Sequence, residues 1–443
     1  MARKTIVTGL LVAMLAVLVC QVGIGAAEPT KITFWYSLGG KIAETTRKLV
    51  DEFNATHPNI QVQAVYQGGY DDAINKLKTA IQTKSTPHVM QVYDIGTKFM
   101  IDSKAVVPMQ KWIDKDKVDV STFEPNILAY YTVNDQLYSM PFNISTPLLY
   151  YNRNMFKEAG LDPEKPPYTF DEVVEYARKL TVKDASGRVT RPGMALAVYG
   201  WFFEQFLAAA NLPYANNGNG RDAAATAVAF ATPEAAAIIE WWHGMVNEGI
   251  CANLGRKTAD TQKAFISGQT AMTIDSTAVL STILTGVEGR FEVGTGFLPR
   301  PAGSRGGVVP GGGCLWLLAG HDTQEEAAAW EFIKFMSAPK QQAFWHMNTG
   351  YFPVTRLAYD LPELKAHQEK YPQFAVAIRQ LRSTPINRAT QGALLGVFTQ
   401  ARQTVEDAIE QVLAGRAKPL DALKRAATTI DGAITRYNQT TGK

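Results

Sequence analysis

The residue types that carry out chemistry are present in this chain, but not in catalytic patterns. The six histidines, His57, His88, His243, His321, His346 and His367, fall at none of the spacings, such as HExxH or Hx3–5H, that let one helix or turn offer two ligands to zinc. No GxxxxGK[ST] run supplies a phosphate-cradling loop, and no GxSxG elbow presents an activated serine. The cluster Gly311-Gly312-Gly313 is too short a pattern to define a site. Carboxylate pairs for glycoside cleavage depend on a separation of about 5–9.5 Å in space, which spacing along the chain does not define. The expectation is no catalytic residue, no metal and no cofactor, with a secreted glycoside hydrolase as the competing enzyme class.

The elements that would position a site alternate between strand and helix. After Lys31 the run Ile-Thr-Phe-Trp reads as a strand, and Ile42, Leu49, Val50 and Phe53 then recur at helical spacing up to a stop before Pro58. Ile60, Val62, Ala64 and Tyr66 alternate as in a strand, Ile74, Leu77, Ala80 and Ile81 return to helical period, and His88 to Tyr93 is a third strand. Such alternation predicts an α/β fold with mostly parallel sheets. Thr169 with Glu172 and Thr323 with Glu326 read as capping boxes, and Thr232-Pro233 places Pro at a first helical position. The stripes Ile238, Ile239, Trp242, Val246 and Trp330, Ile333, Phe335, Met336 read as buried helix faces. The stretch from Thr404 on is helical in pattern.

With 443 residues, 46% hydrophobic and 19% charged, the chain is long enough for two lobes with large cores. Arg3 and Lys4, an apolar run from Ile6 to Val19 and then Gly25-Ala26-Ala27 have the layout of a cleaved signal peptide over residues 1–27. Val19 precedes Cys20 where a lipoprotein signal needs a small residue, so a free periplasmic protein is expected. No later stretch is apolar enough to span a membrane. Lys+Arg 44 against Asp+Glu 41 is close to balance and gives no electrostatic case for nucleic acid. Cys251 and Cys314 are no disulfide framework, and the sequence leaves their pairing open.

FWYSLGG from Phe34, YQGGYDDAI from Tyr66, QVYDIGT from Gln91, PFNISTPLLYYNRNMFKEAGLDPEKPP from Pro141, AMTIDS from Ala271, GGGCLW from Gly311 and WHMNTGYFPVT from Trp345 occur in one order across the chain. In these segments the chain resembles the extracellular solute-binding proteins of carbohydrate-type ABC importers, most nearly the branch that takes glycerol phosphates. The resemblance implies a two-lobe periplasmic-binding-protein fold hinged between the lobes. It assigns residues 28–140 with a return over 271–318 to the first lobe, and 141–270 with 319–443 to the second. The implied partners are a small polar ligand and the permease subunits of an inner-membrane importer, and a monomer is expected.

Carried over by the resemblance, the ligand contacts fall on Tyr70, Asp94, Ser145, Ser276, Gly312, Tyr351 and Arg402, with Trp35, Tyr36, Phe170 and Trp201 as cleft walls. Arg402 and the hydroxyls suit a phosphate, while an ionised Asp94 only accepts hydrogen bonds and suits the hydroxyls of a glycerol group. Each residue also has a structural reading: Arg402 as an ion pair on a helix, Asp94 and Ser145 as turn caps, Tyr351 and Trp201 as packing. Asp94 stands where the family has glutamate, and Phe170 where it has tryptophan. A phosphate monoester carries about 1.5–2 negative charges near neutral pH, against the one cation, Arg402, in this set. Three ligand classes therefore stay open: sn-glycerol 3-phosphate, a glycerophosphodiester such as glycerophosphocholine, and a neutral di- or oligosaccharide.

Overall fold

The computed structural model describes residues 28–442, so the expected signal peptide lies outside them. Strands Thr30–Tyr36 (β1), Ile60–Tyr66 (β2) and Val89–Tyr93 (β3) alternate with helices Gly40–Thr56 (α1) and Tyr70–Thr83 (α2). Of the helical-period residues, Leu49, Val50, Phe53, Ile74, Leu77 and Ala80 are buried and Ile42 and Ile81 half-buried, and β1 pairs with β2 and β3 in parallel, as helical crossovers require. Further strands follow at Val106–Val107 (β4), Met140–Ser145 (β5), Pro147–Asn152 (β6), Met194–Ala195 (β7), Cys251–Ala252 (β8), Met272–Ser276 (β9), Val293–Gly296 (β10) and Gly311–Leu318 (β11). Two sheets result. The first runs β2-β1-β3-β11-β4 with β5 also on β11, and the second runs β8-β7-β9-β6-β10.

Parallel pairing is confined to part of each sheet. β7 pairs in parallel with β8 and β9, but β6 and β10 run antiparallel, as do the pairs of β11 with β3, β4 and β5. The sheets are mixed because β11 enters from the other lobe and β6 follows β5 across a single residue, Thr146. Neither arrives by the helical crossover that parallel strands need.

This topology corrects the expected lobe boundaries. Within 271–318, β9 and β10 belong to the second sheet and only β11 returns to the first. Within 319–443, helices Thr323–Ser337 and Pro339–Asn348 pack on β1 and α1 in the first lobe, where Phe332 lies 5.1 Å from Phe34 and 5.2 Å from Phe53. The order of motifs along the chain says nothing about which sheet edge a strand joins.

The second lobe is finished by helices Phe170–Leu180 (α3), Gly200–Ala209 (α4), Pro233–Asn247 (α5), Phe398–Leu413 (α6) and Pro419–Thr441 (α7). Thr169 and Glu172 form the expected capping box, and Thr232 caps α5 with Pro233 in its first turn. The helix expected to start with Thr323 is instead capped by Asp322, with Glu325 completing the box. Glu326 is thereby free to accept from Trp112 Nε1 at 2.7 Å. Cys251 and Cys314 are free and buried, and burial pushes both thiols up to about 12. Among the described residues no helix is long and apolar enough to cross a membrane.

Candidate ligand-binding cleft

The two lobes meet around the start of β11. Gly311 pairs with Ser145 and Gly312 with Ile144, so the glycine run lies against the end of β5 just before the chain crosses between lobes. Gly312 has φ +93, and a Cβ there would come within 2.0 Å of the Asn143 carbonyl; a side chain would force the two strands apart. A Cβ on Gly311 would meet the Trp201 indole at 2.8 Å, so this glycine lets the second lobe's α4 rest on the first lobe's sheet. Gln205, on the same face of α4, closes two hydrogen bonds with the Val309 backbone, at 2.9 and 3.0 Å.

Tyr70 opens α2, stacks on Tyr93 at 5.1 Å and accepts a 2.8 Å hydrogen bond from Asn143 Nδ2. Asn143 Oδ1 in turn accepts from Gln91 Nε2 at 2.9 Å, and Gln91 Oε1 from the Ser37 N–H at 2.8 Å. Tyr351 joins this group: its hydroxyl interacts with Tyr70 and Asn143, and burial pushes it up to about 12. Its ring stacks on Trp345 at 5.7 Å, and its carbonyl accepts from His346 Nδ1 at 2.8 Å. Ser276 caps a short turn through a 3.1 Å bond from the Ala278 N–H. A Cβ on the neighbouring Gly350 would strike the Thr277 carbonyl at 2.0 Å, so the Tyr351 loop and the Ser276 turn press together.

Asp94 follows β3 in the first lobe and Arg402 lies on α6 in the second, with Asp94 Oδ2 3.8 Å from Arg402 Nη2. Glu204 of α4, which sequence reasoning did not single out, holds the guanidinium through two parallel bonds: Nε to Oε1 at 2.7 Å and Nη2 to Oε2 at 2.8 Å. Helix packing produces the pair. A Cβ on Gly200 would be 2.4 Å from Arg402 Cγ, so α4 and α6 touch at Gly200, and Glu204 sits one turn further along the same face. Glu406 of α6 accepts from the Gly200 N–H at 2.8 Å, and Arg256 ties down Glu406 and Glu410. Tyr199 and Phe398 rings lie 5.6 and 5.8 Å from the Arg402 guanidinium carbon.

Burial is the main cause that raises Asp94, to about 7; Glu204 adds to it and Arg402 opposes it. For Arg402 burial disfavours the charge, but Glu204, Tyr199 and Asp94 outweigh it and hold the guanidinium firmly protonated. Beside Asp94 and Glu204 lies a void of about 20 Å³, lined also by Tyr130 and Tyr214. That is room for about one water. The Tyr214 hydroxyl is buried there with no hydrogen-bond partner among the described residues. On this side the two lobes are in direct contact through Asp94 and Arg402.

The expected cleft walls do not all come to this place. Trp201 does. Phe170 stacks on Trp241 at 4.1 Å and meets Phe206 edge-on at 5.6 Å, inside the second lobe. Tyr36 is buried in the first lobe, its ring 5.7 Å from Tyr66 and its hydroxyl accepting from Arg47. Trp35, on β1, is half-buried against the first-lobe core. A separate cavity of about 1140 Å³ opens between Lys41 and Met347 of the first lobe and Tyr168, Phe297 and Val293 of the second, and it contains none of the residues carried over from the family. Elsewhere, His88, His321 and Glu325 come within 4.8 Å of one another, a juxtaposition that spacing did not show. The Thr33 N–H donates to His88 Nδ1 at 2.9 Å, which keeps the proton on Nε2 and denies that atom to a metal.

Two mixed α/β lobes closing on a polar, buried contact are the architecture of a solute-binding protein, and residues 48–374 match the family described as bacterial extracellular solute-binding protein. The chain belongs to that family. It is 35% identical over 426 residues to the sn-glycerol-3-phosphate-binding periplasmic protein UgpB of Pectobacterium atrosepticum, covering 94% of each chain. It is 34% identical over 424 residues to UgpB of Escherichia coli strain K12, covering 94% of this chain and 95% of that one. Among solved structures it is similar to UgpB from Mycobacterium tuberculosis in complex with glycerophosphocholine, with a TM-score of 0.78 and 21% identity over 92% of this chain and 99% of that one. Maltose-bound MalE3 of T. maritima gives a TM-score of 0.74 at 21% identity, over 91% and 100% of the two chains. These likenesses bear out the two-lobe fold.

Proposed function

We propose that this chain is the periplasmic ligand-capture component of an ABC importer, exported by a cleaved signal peptide. It takes up sn-glycerol 3-phosphate or a glycerophosphodiester such as glycerophosphocholine by lobe closure and hands it unchanged to the permease. One observation carries the reading: Asp94 of one lobe and Arg402 of the other meet in a buried contact, with the hydroxyls of Tyr70 and Tyr351 close enough to Asp94 to feel its charge. Arg402 and the hydroxyls of Ser145, Ser276 and Tyr351 supply donors for a phosphate, and Asp94 and Tyr70 supply acceptors for glycerol hydroxyls. Binding energy from both lobes exceeds that from either, and this difference drives hinge closure.

The test is calorimetric titration of the chain from residue 28 on with sn-glycerol 3-phosphate, glycerophosphocholine and maltose. The reading predicts saturable binding of at least one phosphate compound, with Tyr351→Phe weakening it about tenfold through loss of one hydrogen bond to a charged group. Arg402→Ala should weaken it more, but it also strands two buried carboxylates at about 3–5 kcal/mol, so its thermal melt is read alongside. Binding of maltose alone would overturn the phosphate reading in favour of a second one. A neutral di- or oligosaccharide is favoured by the cavity of about 1140 Å³ and its aromatic lining by Tyr168, Phe297 and Tyr371.

A further inference from the structure

One guanidinium faces two carboxylates in this cleft. Glu204 occupies Nε and Nη2 of Arg402, one of the two forked edges that match a phosphate, and Asp94 stands 3.8 Å from Nη2. The side chains are 7% exposed for Arg402, 10% for Glu204 and 7% for Asp94, so solvent screens them little. Glu204 is not a swinging counter-ion. It is fixed by the close approach of α4 and α6 at Gly200 and by the bond from the Gly200 N–H to Glu406. Nη1 is the guanidinium nitrogen that makes no hydrogen bond to another described residue.

Resting on the glycerol-phosphate reading, we infer that Glu204 sets the charge class of the ligand: by holding one edge of Arg402 and balancing its charge, it selects a phosphodiester over a phosphate monoester dianion. A monoester would bring about two negative charges to a cation already balanced by a carboxylate. A diester brings one charge and can be met by Nη1 and the surrounding hydroxyls, while its second substituent extends away from Arg402. The selection is by repulsion, a charge placed against the disfavoured ligand rather than a contact added for the favoured one.

The experiment is titration at pH 8 of the wild-type chain and of Glu204→Gln with sn-glycerol 3-phosphate, glycerophosphocholine and glycerophosphoglycerol. The last is a diester without an ammonium group. The wild type should bind both diesters about tenfold or more tightly than the monoester, and the Gln variant should narrow that gap about tenfold by gaining monoester affinity. Glu204→Asp, which restores a carboxylate, should move the preference back toward wild type. A wild type that prefers the monoester, or a preference unchanged in Glu204→Gln, would overturn the inference and leave the functional reading standing. Should the Gln variant not fold, the wild type decides: glycerophosphoglycerol bound no better than the monoester would show that any preference for glycerophosphocholine comes from its ammonium group. Failure of all three compounds to bind the wild type would sink the functional reading itself.

Discussion

Arg402 and Glu204 lie 198 positions apart, and their pairing shows where residue-by-residue reading of a sequence stops. The family resemblance could point to residues 70, 94, 145, 276, 312, 351 and 402, but not to whether the one cation among them was free. Its partner arrives by the packing of two helices, one amphipathic and one largely apolar. The signal that would have exposed Glu204 is its position three residues after Trp201 in an otherwise apolar helix, GWFFEQFLAA, where a carboxylate on a buried face requires a counter-charge. Asn143 and Gln91 were missed for a similar reason, since neutral amides carry no charge or motif to single them out. Asp94 offers a test at this scale. Its folded value of about 7 lies above the unfolded carboxylate value near 3.9. The fold thus favours the neutral acid, and that stability is complete below about pH 4, is lost as pH rises through about 7, and is absent above it. Asp94→Asn should therefore raise the melting temperature of the unliganded protein at pH 8 by about 2 °C or more, with little change near pH 4. A wild-type-like melt at both pH values would mean that Asp94 is ionised at no cost.

At the scale of elements, strand and helix alternation, the Thr169 box and the Pro233 start were legible because each rests on local spacing. The Thr323 box slipped by one residue because Asp322 and Glu325 offer the same pattern as Thr323 and Glu326, and only the helix axis decides between them. The start of β11 gives a pair of contrasting predictions. Gly312→Ala drives a methyl into the Asn143 carbonyl, 2.0 Å away, at a positive φ, so strand pairing itself is strained and stability should fall by about 2 kcal/mol or more, read by denaturant melts. At Gly311→Ala the atoms nearest the new methyl all belong to the Trp201 ring, which can shift with its lobe. Its stability should be nearly unchanged while ligand affinity falls several-fold, because the shut form is the one disfavoured.

For the whole molecule, the two-lobe architecture was legible from length, alternation and resemblance, whereas the membership of the lobes was not. The resemblance placed 271–318 in the first lobe, yet the chain spends β9 and β10 in the second sheet before β11 crosses back; which edge a strand joins is decided by packing between segments far apart. Close approaches at Gly311, to Trp201, and at Gly350, to the Thr277 carbonyl, lie beside this crossing. It also leaves two interlobe spaces: the closed contact at Asp94 and Arg402, and the cavity beside Tyr168 and Phe297. The most direct test of the account is a crystal structure of the chain grown with glycerophosphocholine. The account predicts the phosphate within hydrogen-bonding distance of Arg402 Nη1, with Glu204 still on Nε and Nη2 and both lobes touching the ligand. A ligand seated instead in the cavity lined by Tyr168, Phe297 and Tyr371, or held by one lobe alone, would contradict it.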